Sequence, residues 1–141
     1  MLQARIQQKR YKVKNQNMNN ITTIGRILFA LPFVIFGINH FIMMDYYLGM
    51  LTSFIPLGAY TIIITGLLLI GAGISIITKK YVMQSAVMLA VLLLIFILTI
   101  HVPHLVKGTA DKTVTVIALL KDISLMGGSI MIAGMCTGVK Q

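Results

Sequence analysis

The order of apolar and polar residues divides the chain into a polar arm followed by four long apolar segments. Each segment is about as long as a helix must be to cross a bilayer's hydrocarbon core, roughly 20 residues at about 1.5 Å per residue. The segments predict helices at about residues 24–44, 57–77, 82–101 and 114–136. The pattern therefore predicts an all-α, polytopic membrane protein that folds as a four-helix bundle.

The segments set the expected domain organisation. Residues 1–20 form a basic arm, residues 21–137 the four-helix membrane domain, and residues 138–141 a short tail. The first apolar run continues to Met44 without the small-residue motif at which a signal peptide is cleaved, so we expect a retained helix. Pro56 is expected to open the second helix, because the first turn of a helix does not need that N–H.

Composition supports the membrane assignment. The chain is 57% hydrophobic and only 11% charged, with a mean hydropathy of +0.91. Soluble chains carry about a quarter charged residues, and disordered chains are poor in hydrophobic ones, so both classes are excluded. The net charge of +9 suggests a nucleic-acid ligand, but that role needs a basic patch on a soluble surface.

The basic residues lie mainly at one side of the predicted bundle. With the N-terminus in the cytoplasm, nine basic residues fall inside and two, Lys107 and Lys112, fall outside. The nine are Arg5, Lys9, Arg10, Lys12, Lys14, Arg26, Lys79, Lys80 and Lys140. Because an excess of Lys and Arg marks cytoplasmic loops, both termini of this multi-pass protein are predicted in the cytoplasm. The charge then fits a lipid bilayer and not a nucleic acid.

Lys121 and Asp122 interrupt the fourth apolar segment, and ionisable residues within a membrane span are costly and often functional. Adjacent helix residues do not face each other, so we do not expect the two to pair. A small or polar stripe on this helix is expected to face the bundle interior. It consists of Thr115, Ala118, Asp122, Leu125, Ser129, Ala133 and Cys136.

The three histidines map to the same, outer half of the predicted bundle. His40 follows Asn39 near the end of the first helix, and His101 closes the third helix. Pro103 is expected to break the chain before His104. The predicted binding cluster is Asn39, His40, His101, His104, Lys121 and Asp122. Within it, the candidates for proton or charge chemistry are His40, His101, Lys121 and Asp122.

Three interpretations of this cluster remain open. It could bind a quinone, with His and Asp exchanging protons and Lys stabilising an oxyanion. Histidines on different helices could instead ligate a haem, although no metal site is predicted from the spacing. The cluster could also be a structural polar network. A single Cys136 excludes an intramolecular disulfide and a CxxC redox pair.

Small residues on two predicted helices indicate close helix packing. Packing within the bundle is the expected role, with a homo-oligomer contact as the alternative. On the second helix these residues are Gly66, Gly71, Ala72, Gly73 and Ser75. On the fourth they are Gly127, Gly128, Ala133 and Gly134.

Two stretches resemble DoxX-type membrane proteins. One is Gly25-Arg26-Ile27-Leu28 followed by Phe36-Gly37-Ile38-Asn39-His40-Phe41, and the other is Leu119-Leu120-Lys121-Asp122-Ile123-Ser124-Leu125-Met126-Gly127-Gly128. The resemblance spans about residues 21–133. It departs at Asp122, where Asn is expected, and at His40, where Lys is a common alternative.

The resemblance implies a four-helix protein of the prokaryotic cytoplasmic membrane. It also implies a subunit of a quinone-linked redox system that works with a partner redox protein. The alternative is a non-catalytic scaffold or a carrier of a small molecule for a partner protein. Because a fold does not fix a function, the resemblance assigns neither a substrate nor a catalytic residue.

Overall fold

The computed structural model describes residues 2–51, 58–108 and 111–137, and within these ranges it contains helices and no strand. Pro56 and the tail at residues 138–141 lie outside the described residues. The elements are α1 (Leu2–Ile42), α2 (Met44–Met50), α3 (Ala59–Ile77), α4 (Val82–Phe96), a π-helical turn (Ile97–His101), α5 (Val102–Lys107) and α6 (Lys112–Thr137). The all-α prediction is confirmed.

Four of these helical stretches are long and apolar enough to cross a membrane. They are Gln3–Ile42, Ala59–Ile77, Val82–Lys107 and Lys112–Cys136. The third is built from α4, the π-helical turn and α5 together. Length and composition therefore agree with the predicted four-span pattern.

The first helix begins at Leu2 and not near residue 24. The hydropathy pattern located only its apolar part, because basic and polar residues separate the few apolar residues that precede it. Those residues still favour helix, since Gln, Lys and Arg lose little side-chain freedom in it and Gly25 is the first glycine. The basic arm is thus a helical continuation of the first span.

The third helix does not end at His101, and Pro103 does not break it. The chain continues as α5 to Lys107, with Pro103 in the first turn of α5. The preceding π-helical turn sets this register, since the N–H of Val102 bonds to the carbonyl of Ile97, five residues back. Pro103 therefore sits where the helix tolerates a missing N–H. Gly108, with φ +63°, ends α5 in the left-handed conformation that suits glycine.

The helices pack as two pairs, with α1 along α3 and α4 along α6. Glycines allow the first pair to approach closely. A Cβ atom on Gly37 would lie 2.7 Å from the carbonyl oxygen of Gly66, and one on Gly73 would lie 3.1 Å from that of Ala30. In contrast, a Cβ on Gly71 would meet nothing within 4 Å. Only part of the predicted small-residue face of α3 therefore contacts α1.

The two pairs share an apolar core beside the turn between α3 and α4. Its buried members are Ala30, Phe33, Leu69, Ala72, Ile76, Leu89 and Leu93. Near that turn the Ser85 hydroxyl donates to Ser75 Oγ at 2.7 Å. At the opposite end, Asp111 caps α6 by accepting the backbone N–H of Thr113 at 2.8 Å. The core fixes the bundle at one end and leaves room between the pairs toward the other.

Candidate functional site

A cavity of about 590 Å³ lies between the helix pairs, beyond the apolar core. This volume is within the range of sites that bind small molecules, about 300–1,000 Å³. Most of its lining is apolar. The ionisable side chains among the lining residues are His40, Tyr46, Tyr47, His101, Lys121 and Asp122. All four residues predicted for proton or charge chemistry therefore line one cavity.

The buried face of α6 places Asp122 in this cavity. Every member of the predicted small or polar stripe is buried or half-buried, which confirms the predicted inward face. Asp122 is 4% exposed, and its stripe neighbours Thr115 and Ser129 are 6% and 0% exposed. The Ser129 hydroxyl donates to the Leu125 carbonyl at 2.9 Å within the same helix. Asp122 is the stripe member that reaches across to another helix.

Asp122 forms a short contact with His101. Nε2 of His101 lies 2.8 Å from Oδ2 of Asp122, and both side chains are about nine-tenths buried. A carboxylate oxygen accepts, so the histidine donates through Nε2–H, and in the neutral ring Nδ1 has no proton. His101 is the last residue of the π-helical turn. Such turns often occur at functional sites, because they displace a side chain from its regular helical position.

Lys121 contacts the same carboxylate, contrary to the sequence-based expectation. Its Nζ lies 3.3 Å from Oδ1 of Asp122 and 4.6 Å from the centre of the Phe36 ring. The expectation failed because it followed the Cα–Cβ directions, whereas a flexible four-carbon stem lets the ammonium return toward its neighbour. About half of the Lys121 side chain stays exposed. The carboxylate thus has a buried partner and an accessible one.

His40 occupies a second polar position in the cavity. Its Nδ1 lies 2.7 Å from the carbonyl oxygen of Phe36, one turn earlier on α1. Because a carbonyl only accepts, Nδ1 carries the proton and Nε2 of the neutral ring is left as an acceptor. Phe36 links the two polar positions, because its carbonyl contacts His40 and its ring contacts Lys121.

Tyr47 on α2 covers one face of His40. The two rings stack with centroids 4.0 Å apart and an interplanar angle of 17°. Burial raises the pKa of the Tyr47 phenol, and the neighbouring Tyr46 raises it further. The phenol is therefore neutral near pH 7 and can donate a hydrogen bond. This stacking on Tyr47 of α2 holds the His40 ring in one orientation at the cavity wall.

Two residues of the predicted cluster lie apart from the cavity lining. Asn39 is half-buried on α1, and His104 is half-buried on α5. Their carbonyl oxygens accept helix-end hydrogen bonds from Met43 at 2.8 Å and from Gly108 at 3.0 Å. Asn39 is one residue from His40, about 100° around the helix, and therefore points elsewhere. His104 is displaced because the third helix continues beyond His101.

The sequence patterns missed the cavity roles of Phe36 and Tyr47. Phe36 precedes His40 by four residues, which places both on one helix face. Tyr47 follows His40 by seven residues, a spacing that would also share a face in a continuous helix. The helix spacing was a usable signal for Phe36 only, because α1 ends at Ile42 and the turn at Met43 determines where Tyr47 lies.

The geometry bears on the haem and metal interpretations. Among the described residues, no group of three or more His, Cys, Asp or Glu side chains is arranged to hold a metal ion. Ligation through Nε2 of His101 requires its 2.8 Å contact with Asp122 to break. His40 retains an available Nε2 on the other side of the cavity.

The site therefore combines a large apolar space with hydrogen-bonding groups from α1, α2, the π-helical turn and α6. His40 and His101 can each exchange a proton, and the Lys121 ammonium can stabilise a negatively charged oxygen. This is the arrangement expected for an apolar molecule that bears a few polar atoms. Comparison of the chain with protein-family models, curated proteins and solved structures finds no match.

Proposed function

We propose that this protein is the quinone-binding subunit of a membrane redox system, as the resemblance to DoxX-type proteins implies. The observation that carries the proposal is the single cavity in which an apolar lining meets His40, His101, Lys121 and Asp122. A quinone has the matching chemistry, namely an apolar ring and chain with two carbonyl oxygens that accept hydrogen bonds. The proposal gives each polar residue a role.

Reduction of a quinone to a quinol takes up two electrons and two protons. In this proposal the electrons come from a partner redox protein, and the protons pass through the cavity side chains. His40 takes a proton from water on Nε2 and passes it to one oxygen. His101 keeps its Nε2–H on Asp122, takes a proton from water on Nδ1 and gives that proton to the other oxygen. The Lys121 ammonium stabilises negative charge on an oxygen before it is protonated.

Asp122 is a positioning residue in this mechanism. Its carboxylate accepts from His101 Nε2 at 2.8 Å, which fixes the orientation of the ring. It also holds the Lys121 ammonium at 3.3 Å. If Asn is the usual residue here, as the resemblance implies, the carboxylate adds a charge that strengthens both contacts.

A small-molecule carrier is the second candidate function, because the cavity lining is mainly apolar. A carrier needs the cavity but not the proton-exchanging side chains. The two functions differ in whether the bound molecule changes its redox state and in whether His40 and His101 contribute to binding.

Quinone occupancy is the first prediction. Protein purified in mild detergent is expected to release quinone on solvent extraction. Added quinone is expected to raise the thermal midpoint of the depleted protein, because a ligand that binds only the folded state stabilises it. At a free concentration about 100 times Kd, stabilisation is about 2.7 kcal/mol. Absence of both extracted quinone and thermal protection would contradict the proposal, and a haem absorption band would favour the haem interpretation.

We also propose that the chain lies in the cytoplasmic membrane of a prokaryote with both termini inside. The excess of basic residues on the arm and on the α3–α4 turn supports this orientation. The cavity then lies in the outer half of the bilayer, at the end of the bundle that holds the α1–α2 junction.

Membrane orientation can be tested with cysteine labelling. In a Cys136→Ser background, we expect a membrane-impermeant maleimide to label Lys112→Cys in intact cells. Lys80→Cys should react only after the membrane is permeabilised. Both positions are exposed, so accessibility of the side chain itself does not separate them. The opposite labelling pattern would invert the orientation and move the cavity to the cytoplasmic half.

A further inference from the structure

The side of the cavity between α3 and α4 has a distinct composition. Among its lining residues, α3 contributes Thr61, Ile62, Ile64, Thr65, Leu68 and Leu69, and α4 contributes Leu92, Leu93, Ile95 and Phe96. None of these side chains is ionisable. The charged and imidazole groups come instead from α1, the π-helical turn and α6. We call the α3–α4 side, whose described lining residues include no ionisable side chain, the apolar side, and the side that carries the ionisable groups the polar side.

Three side chains on the apolar side both line the cavity and face outward. Ile64 is 52% exposed, Leu68 is 36% exposed and Ile95 is 48% exposed. A side chain on the wall of a closed cavity would be covered on its outer side by neighbouring helices. These three residues therefore connect the cavity wall with the outer surface of α3 and α4. Tyr46 and Val114, 55% and 59% exposed, also line the cavity and reach the surface, but they lie on α2 and in the first turn of α6. Ile64 and Leu68 lie about 8–14 Å along α3 from its start, at a depth where lipid chains surround the protein.

The opposite side of the bundle is occupied by charge and by packed rings. The Lys121 ammonium rests 4.6 Å from the centre of the Phe36 ring, between α6 and α1. Further along the same helices, the Phe29 ring packs against Gly128, where a Cβ would lie 2.7 Å from a ring carbon. A hydrocarbon chain between α1 and α6 would have to displace a charged group. Among the described residues, no charged side chain lines the cavity between α3 and α4.

We propose that the gap between α3 and α4 is a lateral portal that seats the hydrocarbon chain of the ligand. The portal is defined by Ile64, Leu68 and Ile95. This inference rests on the proposed function: the quinone ring occupies the polar side of the cavity, and its isoprenoid chain leaves through the portal into the lipid. The site thereby accepts lipid-soluble quinones directly from the bilayer.

The portal is expected to discriminate between ligands by their shape, because the hydrophobic effect does not favour the portal over the surrounding lipid. Lipid chains are as apolar as leucine, so moving an isoprenoid chain from lipid into the portal gains little from the hydrophobic effect. The chain must nevertheless leave the cavity somewhere. Filling the portal with larger side chains should therefore exclude a chain-bearing quinone by overpacking and still admit the ring alone.

The test is a double variant, Ile64→Trp with Ile95→Trp, assayed with two probes. One probe is a benzoquinone with a multi-unit isoprenoid chain, and the other has the same ring without a chain. Kd values come from the dependence of the thermal midpoint on quinone concentration in detergent. We expect affinity for the chain-bearing probe to fall about tenfold or more, as overpacking costs imply. Affinity for the chainless probe should fall less, and an unchanged circular dichroism spectrum shows that the variant is folded.

A matched control is Leu67→Trp with Leu94→Trp. These side chains are on the same two helices and are 60% and 44% exposed, but they do not line the cavity. The control should bind both probes as the unmodified protein does. The portal proposal would be wrong if the portal variant bound the chain-bearing probe as tightly as the unmodified protein does. It would also be wrong if the variant lost affinity equally for both probes.

A third probe separates failure of the portal from failure of the proposed function. If the unmodified protein binds a prenyl alcohol but neither quinone, and the portal variant loses that binding, the portal stands and the quinone assignment falls. If the chainless quinone binds but the portal variant behaves as the control does, the quinone site stands and the portal falls. If no probe binds the unmodified protein, both proposals are wrong.

Discussion

Asp122→Asn is expected to weaken quinone binding about tenfold or more while the helical content stays unchanged. The substitution keeps the side-chain shape and removes the charge that contacts His101 and Lys121 at 2.8 and 3.3 Å. Hydrogen bonds to charged groups contribute about 1.5–3 kcal/mol, and each 1.4 kcal/mol is about a factor of ten. The asparagine leaves the His101 ring less firmly held and the ammonium without a counter-ion.

The measurement is the quinone concentration that gives half-maximal thermal protection. Ser124→Ala is the matched control, because Ser124 is exposed on the same helix and its hydroxyl bonds only to the Leu120 carbonyl in the described contacts. We expect the control to bind quinone normally. If Asp122→Asn binds quinone as tightly as the control does, Asp122 belongs to the structural network of the bundle and has no part in the site.

Gly37→Ala is expected to destabilise the bundle by about 1–3 kcal/mol, the usual cost of overpacking. A Cβ at Gly37 would lie 2.6 Å from a side-chain carbon of Ile70 and 2.9 Å from its backbone nitrogen. Backbone atoms of a packed helix cannot move aside as a flexible side chain can. The α1–α3 pair must therefore separate. Because both helices line the cavity, the separation also disturbs it.

Gly25→Ala is the control for this prediction. Gly25 lies on the same helix, and an added Cβ there meets nothing within 4 Å. Alanine favours a helix over glycine by up to about 1 kcal/mol, so this variant should be unchanged or more stable. Thermal unfolding in detergent measures both, and Gly37→Ala should unfold about 5 °C lower. Equal midpoints for the two variants would show that the close α1–α3 contact does not exist.

Most of the fold could be predicted from the four apolar segments. Near-continuous apolar stretches of spanning length predict membrane helices, because backbone polar groups in lipid must be satisfied within the segment. The same signal could not show that α1 begins at Leu2, since a polar helix has no apolar pattern. Nor could it show that the helix passes Pro103, because the π-helical turn depends on local backbone geometry.

The candidate site was predictable where it followed helical periodicity. The spacing of polar and small residues on α6 predicted that Asp122 faces inward, since that burial is set by position around the helix. The Lys121 contact was not predictable, because it depends on the rotamer of a flexible stem. The stacking of Tyr47 on His40 depends on how α2 turns back after Ile42, which the sequence does not specify.

Locating the bound quinone within the bundle tests most directly whether the cavity is a quinone site. A photoreactive azidoquinone is bound in detergent and irradiated, and the labelled peptides are identified by mass spectrometry. Quinone bound at the polar side chains is expected to label three of the segments that line the cavity, residues 33–40, 92–101 and 114–125. That labelling should be suppressed by the parent quinone and reduced in Asp122→Asn. Labelling spread evenly over the outward faces of the helices, with no competition by the parent quinone, would show that the cavity is not a quinone site.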